Sequence, residues 1–597
     1  MISSRRSPVP IAGCTGKIKV FCVSPGGFPA PTAAPGSLSP MACCFSFQAP
    51  SVTPSIRRLP SLLVEAPFPG HQRPVLSPSH HWLTRSREGH RMPEAIPQAP
   101  ELPEPEPVPV LKSKVLIGLG SLLQRQFLVK GGTLLGNIIL ARLLLPSKFG
   151  IYGIVAFIVQ CFSSFGDVGF GPALIQKKGE LQREELSTAF WTQIILVSLT
   201  VAGLWLVAPF VHRLYPTLPP HAPWLVRGLG LSLLFLSSKS IPVILMERAL
   251  DFQRIALIEV LETAVFHVIA ITLAIYHWEE WSFILAAIGR GFCGATLAYF
   301  LSSWRPEWMF RPSFVRPLVS FGLPYQLNFA VGFLKDAVAP LFVGAYIGTE
   351  AVGYLTWART YAFTPLLLSE SYGRIAFPAL SRIQSERPLL TRAIEDSIRM
   401  LTFLMVPLTG MGMALAEPAT AYLFGETWMA GLPAFYFYCT SPLAVGIFLP
   451  MYSGILALGH SRLILSMTGL LLVLEWGLGV PFILRYGFVG LAMNQPIIAA
   501  IFYFVYKRAL AKEDIRPRIL ANVGMVLLAT ACGGALTWAT SRGMGVRGFS
   551  VFPLFGVGLA VVYGLIYLFQ PTLIREFWEN VRRMWVRSDR PLCKKSF

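Results

Sequence analysis

The sequence predicts an all-α integral membrane protein of about 14 transmembrane helices, in two parallel-related six-helix lobes plus two C-terminal helices. Three observations predict it. Of 597 residues, 53% are hydrophobic and only 14% charged, against about 25% charged in soluble domains. The apolar residues fall in repeated runs of about 20, the length that crosses a bilayer as a helix. The first six runs are echoed in the next six. With a mean hydropathy of +0.56, an ordinary soluble enzyme is excluded.

Residues 1–110 stand apart. They hold 21 of the 48 prolines, show no sustained apolar period and end in Pro103-Glu104-Pro105-Glu106-Pro107. Such a segment cannot bury enough surface to offset its ordering entropy, so a disordered tail is expected. Two other readings stay open: translation from Met92, with an over-extended gene start before it, or a transit peptide, since no acidic residue precedes Glu65. Ile11-Ala12-Gly13-Cys14 imitates a lipoprotein cleavage site, but no apolar run precedes it. No function is assigned to this region.

The expected spans are approximately 116–145, 150–174, 188–210, 225–246, 256–276, 282–304, 318–347, 351–373, 397–417, 431–457, 463–484, 487–506, 519–540 and 551–570. Counting Lys and Arg outside them fixes orientation. One set of connections, with Lys112, Lys114 and the C-terminal tail, carries 27; the other carries five, namely Lys148, Arg213, Arg485, Arg542 and Arg547. The basic set belongs in the cytoplasm, which places both termini there. The net charge of +20 then marks loops beside anionic lipid, and no nucleic-acid partner is expected. The expected organisation is a tail over 1–110, an N-lobe over 111–310 (spans 1–6), a C-lobe over 311–510 (spans 7–12), spans 13 and 14 over 511–570, and a basic tail over 571–597.

The longest connection between spans is about 25 residues, so no soluble catalytic domain is inserted. There is no P-loop, DxD or HExxH. Gly543-Met544-Gly545-Val546-Arg547-Gly548 fits GxGxxG but lies in an outside loop without a preceding strand, and is read as a chance match. The nine Cys form no CxxC pair and have no His at metal spacing, so neither a structural disulfide nor a metal site is expected, and no cofactor.

The internal echo is specific. LLGNIILARLLLPSKFGIYGIVAF from Leu134 answers VAPLFVGAYIGTEAVGYLTWAR from Val338, aligning Phe149-Gly150-x-Tyr152 with Val352-Gly353-Tyr354. Pro172-Ala173-Leu174 answers Pro378-Ala379-Leu380, and Ala208-Pro209 with Leu214-Tyr215 answers Glu417-Pro418 with Leu423-Phe424. The offsets are 203, 206 and 209. Six is even, so both copies run the same way, giving a parallel repeat about an axis along the membrane normal. A substrate path between the lobes is the natural expectation.

These stretches also carry a resemblance. ARLLLPSKFGIYG, FGDVGFGPALIQKK with LSTAFW, VSFGLPYQLN, and VGYLTWART with FPALSRIQ resemble the polysaccharide (O-antigen, Wzx-like) flippases of the MOP superfamily, which also holds lipid II flippases and MATE exporters. The resemblance covers roughly residues 115–510 and rests on the order and spacing of the motifs. It implies transfer of an undecaprenyl-pyrophosphate-linked oligosaccharide between leaflets by alternating access, with the bilayer, a polysaccharide polymerase and chain-length machinery as partners. Many members of the group have twelve spans; the extra pair here is similar to fourteen-helix lipid II flippases, where the added helices help form a lipid groove.

A charge at mid-bilayer costs at least about 2.5–3.5 kcal/mol, so each one needs a reason. Lys335 and Asp336 fall near the middle of span 7. On a regular helix they point about 100° apart and do not simply neutralise each other. Either Lys335 faces a cavity and binds pyrophosphate with Asp336 as a coupling-ion or proton site, or both pair with neighbouring helices. The acid at Asp336 also matches a position that is often acidic in the resembled family. Lys130 and Arg142 in span 1 lie roughly 18 Å apart along the axis and can form steps of a cationic path, with snorkelling the alternative for Arg142. Arg290 in span 6 and Arg359 in span 8 suit cavity lining or interlobe pairing, and Arg399 suits snorkelling. Glu475, central in span 11, is a second candidate for a coupling ion or proton. Glu259 and Glu262 read as a solvated face, Asp167 as structural, and Trp224, Trp278, Trp281, Trp304 and Trp308 as interfacial belts.

The chemistry expected is binding without bond making, so the chain is not expected to be an enzyme. A MATE-like multidrug exporter would need acidic or aromatic cavity walls, whereas the candidate charges here are mostly basic. A membrane glycosyltransferase would need a long outside loop with catalytic acids. A lipid II flippase remains an alternative for the cargo.

Overall fold

The computed structural model describes residues 128–315 and 332–575, apart from 167–170, 172–173, 176, 178, 180 and 573. The N-terminal tail, Lys112, Lys114, Asp167, the first parts of spans 1 and 7 and the C-terminal tail therefore lie outside the described residues.

What is described is helical. Lipid offers no partner for backbone N–H and C=O groups, so each spanning segment satisfies its own within a helix. Among the described residues, eleven helices are long and apolar enough to cross a membrane. They are spans 2–6, beginning with Pro146–Ser164 and ending with Trp281–Leu301, and spans 9–14, from Arg387–Ala414 to Gly548–Phe569. The described parts of spans 1 and 7, and span 8, take other forms. Residues 128–143 of span 1 are helical. Span 8 runs as Thr349–Ala362 and, after a 3-10 turn at Thr364–Leu366, as Leu367–Arg382.

Span 7 is broken. Residues 332–336 are helical, a π-helix follows over Val338–Val343, and a short helix at Gly344–Tyr346 ends it. Pro340 lies inside the π segment; without an N–H it cannot sustain the i→i−4 ladder. The turn into span 8 uses Gly348 at φ +125°, a conformation open to glycine at no side-chain cost.

The duplication is visible in the packing. In the N-lobe span 2 packs on span 4, span 4 on span 6, and span 5 on span 6; in the C-lobe span 8 packs on span 10, span 10 on span 12, and span 11 on span 12. Spans 13 and 14 pack on each other and on span 9. The lobes meet where span 2 crosses span 8. Tyr215 and Phe424, paired by the duplication, are buried in one shared cluster with Ile154, Leu225, Trp357 and Trp428. The Trp428 indole, fully buried, donates to the Ala141 carbonyl at 2.8 Å and so ties the C-lobe to span 1.

Candidate functional site

The break in span 7 builds the first charged cluster. Lys335 Nζ lies 2.8 Å from Asp336 Oδ1, and Arg359 Nη2 reaches the same oxygen at 2.7 Å. This corrects the expectation that the adjacent pair cannot neutralise each other. The regular helix ends at Asp336, with a turn at Ala337 before the π segment. Arg359 also stands over the Phe363 ring at 5.3 Å. One carboxylate thus serves two cations.

Glu475 approaches from span 11. This span buries only 11% of its most apolar window, so most of its circumference faces lipid. Its acidic residue faces inward, where Glu475 accepts from Asn494 Nδ2 and Gln495 Nε2, both at 3.0 Å. Next to it, the Trp476 indole donates to the Leu334 carbonyl at 2.9 Å, which pins span 11 to the residue before Lys335. Glu475 is close enough to Arg359 to act on it electrostatically.

The second cluster lies within the N-lobe. Glu262 is 2% exposed; it pairs with Lys239 of span 4 and, at 3.7 Å, with Arg290 Nε of span 6. Here too the expectation is corrected, because Glu262 is not on a solvated face. Span 6 passes it at Gly294, where a side chain would overlap the carboxylate, and two neighbouring helices supply the cations that make its burial tolerable.

Between the lobes lies a cavity of about 430 Å³. Its polar wall includes Thr133, Asn137, His267, Arg290, Thr356 and Thr360, contributed by spans 1, 5, 6 and 8. His267 gives one ring nitrogen to the Thr263 carbonyl at 2.8 Å, and its Nε2 has no partner among the described residues. Span 1 approaches this ring closely through Gly136. Lys130 is exposed and sits three and seven residues before Thr133 and Asn137, hence on the helix face that lines the cavity.

Arg142 goes elsewhere. Its guanidinium donates to the Ala421 carbonyl at 3.3 Å, and it lines a separate cavity beside spans 9, 10, 13 and 14. Arg399 is tied to Asn522 of span 13 at 3.1 Å. The structure therefore groups Lys335, Asp336, Arg359 and Glu475 on the C-lobe, places Arg290 and the face of Lys130 at the interlobe cavity, and separates Arg142 from both. Lys239 and His267 were missed from sequence. Lys239 carries the same signal as the others, a charge inside an apolar run, whereas a buried histidine carries none. No group of three or more His, Cys, Asp or Glu residues able to hold a metal occurs among the described residues.

Residues 139–433 match the family model described as polysaccharide biosynthesis protein. The chain is 25% identical over 297 residues to the succinoglycan biosynthesis transport protein ExoT of Rhizobium meliloti, covering 49% of this chain and 59% of that protein. It is 25% identical over 277 residues to the teichuronic acid biosynthesis protein TuaB of Bacillus subtilis, covering 45% and 55%. It is 23% identical over 327 residues to the lipopolysaccharide biosynthesis protein WzxC of Escherichia coli, covering 53% and 65%. The chain thus spans somewhat over half the length of these relatives.

Among solved structures, lipid II flippase MurJ in an inward closed conformation superposes with a TM-score of 0.60 at 14% identity, over 77% of this chain and 100% of that one. An inward-facing MATE family transporter of the MOP superfamily gives 0.51 at 16% identity, over 65% and 96%. At these identities the likeness shows the fold. The chain is a multi-span membrane protein with the fold of those transporters, and over residues 139–433 it is similar to the polysaccharide biosynthesis protein family.

Proposed function

We propose that this protein moves a polyprenyl-pyrophosphate-linked oligosaccharide, on an undecaprenyl carrier, from the cytoplasmic to the outer leaflet of a bacterial cytoplasmic membrane, for surface polysaccharide synthesis. The observation that carries this reading is the interlobe cavity, whose described wall holds Arg290 and no carboxylate. Asp336 is shared by Lys335 and Arg359, and Glu262 by Lys239 and Arg290. In the C-lobe set Asp336 and Glu475 balance Lys335 and Arg359 until a carboxylate takes the coupling ion or proton. In the N-lobe cluster Lys239 and Arg290 exceed Glu262 by one positive charge, and a pyrophosphate supplies the missing negative charge. In a cavity walled by low-dielectric protein that attraction exceeds its value in water.

The chemistry is binding and release without bond making. Lys335, Arg359, Arg290 and Lys130 hold the pyrophosphate, Asp336 and Glu475 take the coupling ion or proton, and Arg142 lies off this path. Rocking of one lobe against the other exposes the site to each side in turn, with both termini on the cytoplasmic side. The prenyl tail stays in lipid while the sugars cross the polar cleft. On the outer side a polymerase and its chain-length partners receive the product.

The test is leaflet analysis in a strain lacking this protein. Lipid-linked oligosaccharide held in the cytoplasmic leaflet, with surface polysaccharide lost and restored by wild type but not by Lys335→Ala, supports function and site together. Restoration by Lys335→Ala discards the site and keeps the function. Absence of any lipid intermediate, with reduced efflux of a cationic dye, contradicts the function.

A further inference from the structure

A second cavity, of about 600 Å³, opens at the end of the molecule where span 9 connects to span 10 and span 13 to span 14, beside the end of span 1 at Arg142. Its volume falls within the roughly 300–1,000 Å³ of small-molecule sites. Three aromatic residues line it: Tyr422, Tyr436 and Trp538, each between 38% and 47% exposed. Charged groups stand between the rings. Arg542 lies 4.8 Å from the Trp538 ring and 3.2 Å from Glu417 Oε2. Tyr422 is held edge-on by Phe552 of span 14, 6.4 Å away. The loop from Gly543 to Gly548 forms one side, turning through Gly545 at φ +58° and Gly548 at φ +71°, and so brings Arg547 to the wall.

A lipid tail has no use for charged walls, and a flat apolar molecule has little use for carboxylate–guanidinium pairs. A sugar uses both. The C–H face of a pyranose packs on an aromatic ring, while its hydroxyls donate to a carboxylate and accept from a guanidinium. Arg142, Arg542 and Arg547 outnumber Glu417 and Glu426 along this wall, so an acidic sugar is accommodated as well as a neutral one.

We propose that this cavity is a saccharide-binding vestibule, built jointly by span 1, the C-lobe and spans 13 and 14, that holds the sugar end of the cargo as it leaves the interlobe path. The assignment rests on the cargo reading above, and it gives the two helices outside the duplication a task. It also gives the glycine loop a structural purpose unrelated to nucleotides.

The test uses the full chain in nanodiscs and saturation-transfer difference NMR with two soluble probes, tetragalacturonate and maltotetraose. Wild type transfers saturation to the ring protons of one or both probes. Trp538→Ala combined with Arg547→Ala reduces that transfer at least five-fold, Trp538→Phe retains most of it, and Arg213→Ala, which does not line this cavity, leaves it unchanged. A monodisperse elution profile and unchanged helical circular dichroism control for folding; if the double variant fails them, Arg547→Gln alone must still reduce transfer at least two-fold for tetragalacturonate. No transfer with wild type, or transfer unaffected by these substitutions, overturns the vestibule. Leaflet analysis separates the two ideas. Saccharide binding at Trp538 in a chain that moves no lipid-linked oligosaccharide keeps the vestibule and removes the function. Movement of cargo without saccharide binding does the reverse.

Discussion

Gly150 and Gly353 each lie against the carbonyl that opens the other's helix. A side chain on Gly150 would overlap the Thr349 carbonyl, and one on Gly353 would overlap the Pro146 carbonyl. Pro146 and Thr349 are 203 residues apart, as are Gly150 and Gly353, so the contact is reciprocal in the way a two-fold axis requires. The internal duplication is therefore expressed physically at the crossing of spans 2 and 8. Small residues there let two backbones touch, a common means of helix association in lipid.

That crossing closes the end of the lobe interface assigned to the outside by the charge count. Gly150→Ala and Gly353→Ala, made separately, should each destabilise the closed crossing by about 1–3 kcal/mol through overpacking. The check is labelling of a cysteine at Thr356 by an impermeant maleimide from the outside, which should rise several-fold in either background. Gly153→Ala is the control, since a side chain there meets Val352 Cγ1 at an ordinary 3.6 Å, and labelling should not change.

Glu262→Gln should strand Lys239, whose side chain is only 13% exposed. Breaking a buried pair by removing one partner costs roughly 3–5 kcal/mol. A clear drop in the apparent unfolding temperature in detergent is expected. The pair of changes Lys239→Met and Glu262→Leu should recover most of it, because Arg290 is 53% exposed and remains solvated within its cavity. Equal losses in the single and double variants would show that the ion pair is not the cause.

Asp336→Asn removes the group shared by Lys335 and Arg359. With Asp336 in the coupling role, wild-type transport should accelerate when an ion gradient is imposed, and the variant should run at one gradient-independent rate. Measuring transport with and without proton and sodium gradients decides this. A variant that still responds to the gradient moves the coupling role to Glu475.

Glu280 lies just before span 6 and contacts Lys148 Nζ at 2.9 Å and His221 Nε2 at 2.5 Å. Burial pushes its carboxyl up, but the hydrogen bonds from Lys148, its own backbone and His221 outweigh that and hold it below the usual glutamate range. A carboxyl lowered on folding contributes stability that is complete above its unfolded value, near 4.3, and is lost as pH falls through the lower folded value. Thermal stability should therefore drop on acidification below about pH 4.3. Glu280→Gln should be less stable than wild type near neutral pH, with a shallower acid limb.

Much of the fold is legible in the sequence because the bilayer sets helix length and lipid forbids unpaired backbone. The repeat was visible for the same reason that it packs: Phe149-Gly150 and Val352-Gly353 occupy matching places. The cost of charge in lipid likewise picked out Lys335, Asp336, Arg359 and Glu475. What sequence did not give was their pairing. The 100° argument for Lys335 and Asp336 assumed a regular helix, whereas the helix ends at Asp336 and Pro340 lies in the π segment that follows. Glu262 sits near the end of its own span, and its cations come from spans 4 and 6, a relation that no local window contains. Arg142 was picked out by the same cost, but the direction of its side chain depends on the C-lobe carbonyl at Ala421.

The most direct measurement is leaflet exchange in proteoliposomes holding the purified chain and a polyprenyl-pyrophosphate oligosaccharide with a fluorophore on the sugar. Loss of fluorescence on adding dithionite outside reports the fraction exposed. The account predicts that wild type exposes nearly all of the fluorophore within minutes, and that Lys335→Ala and Arg359→Ala slow this at least ten-fold. Exposure that stops at the outer-leaflet half, as in protein-free liposomes, would contradict it.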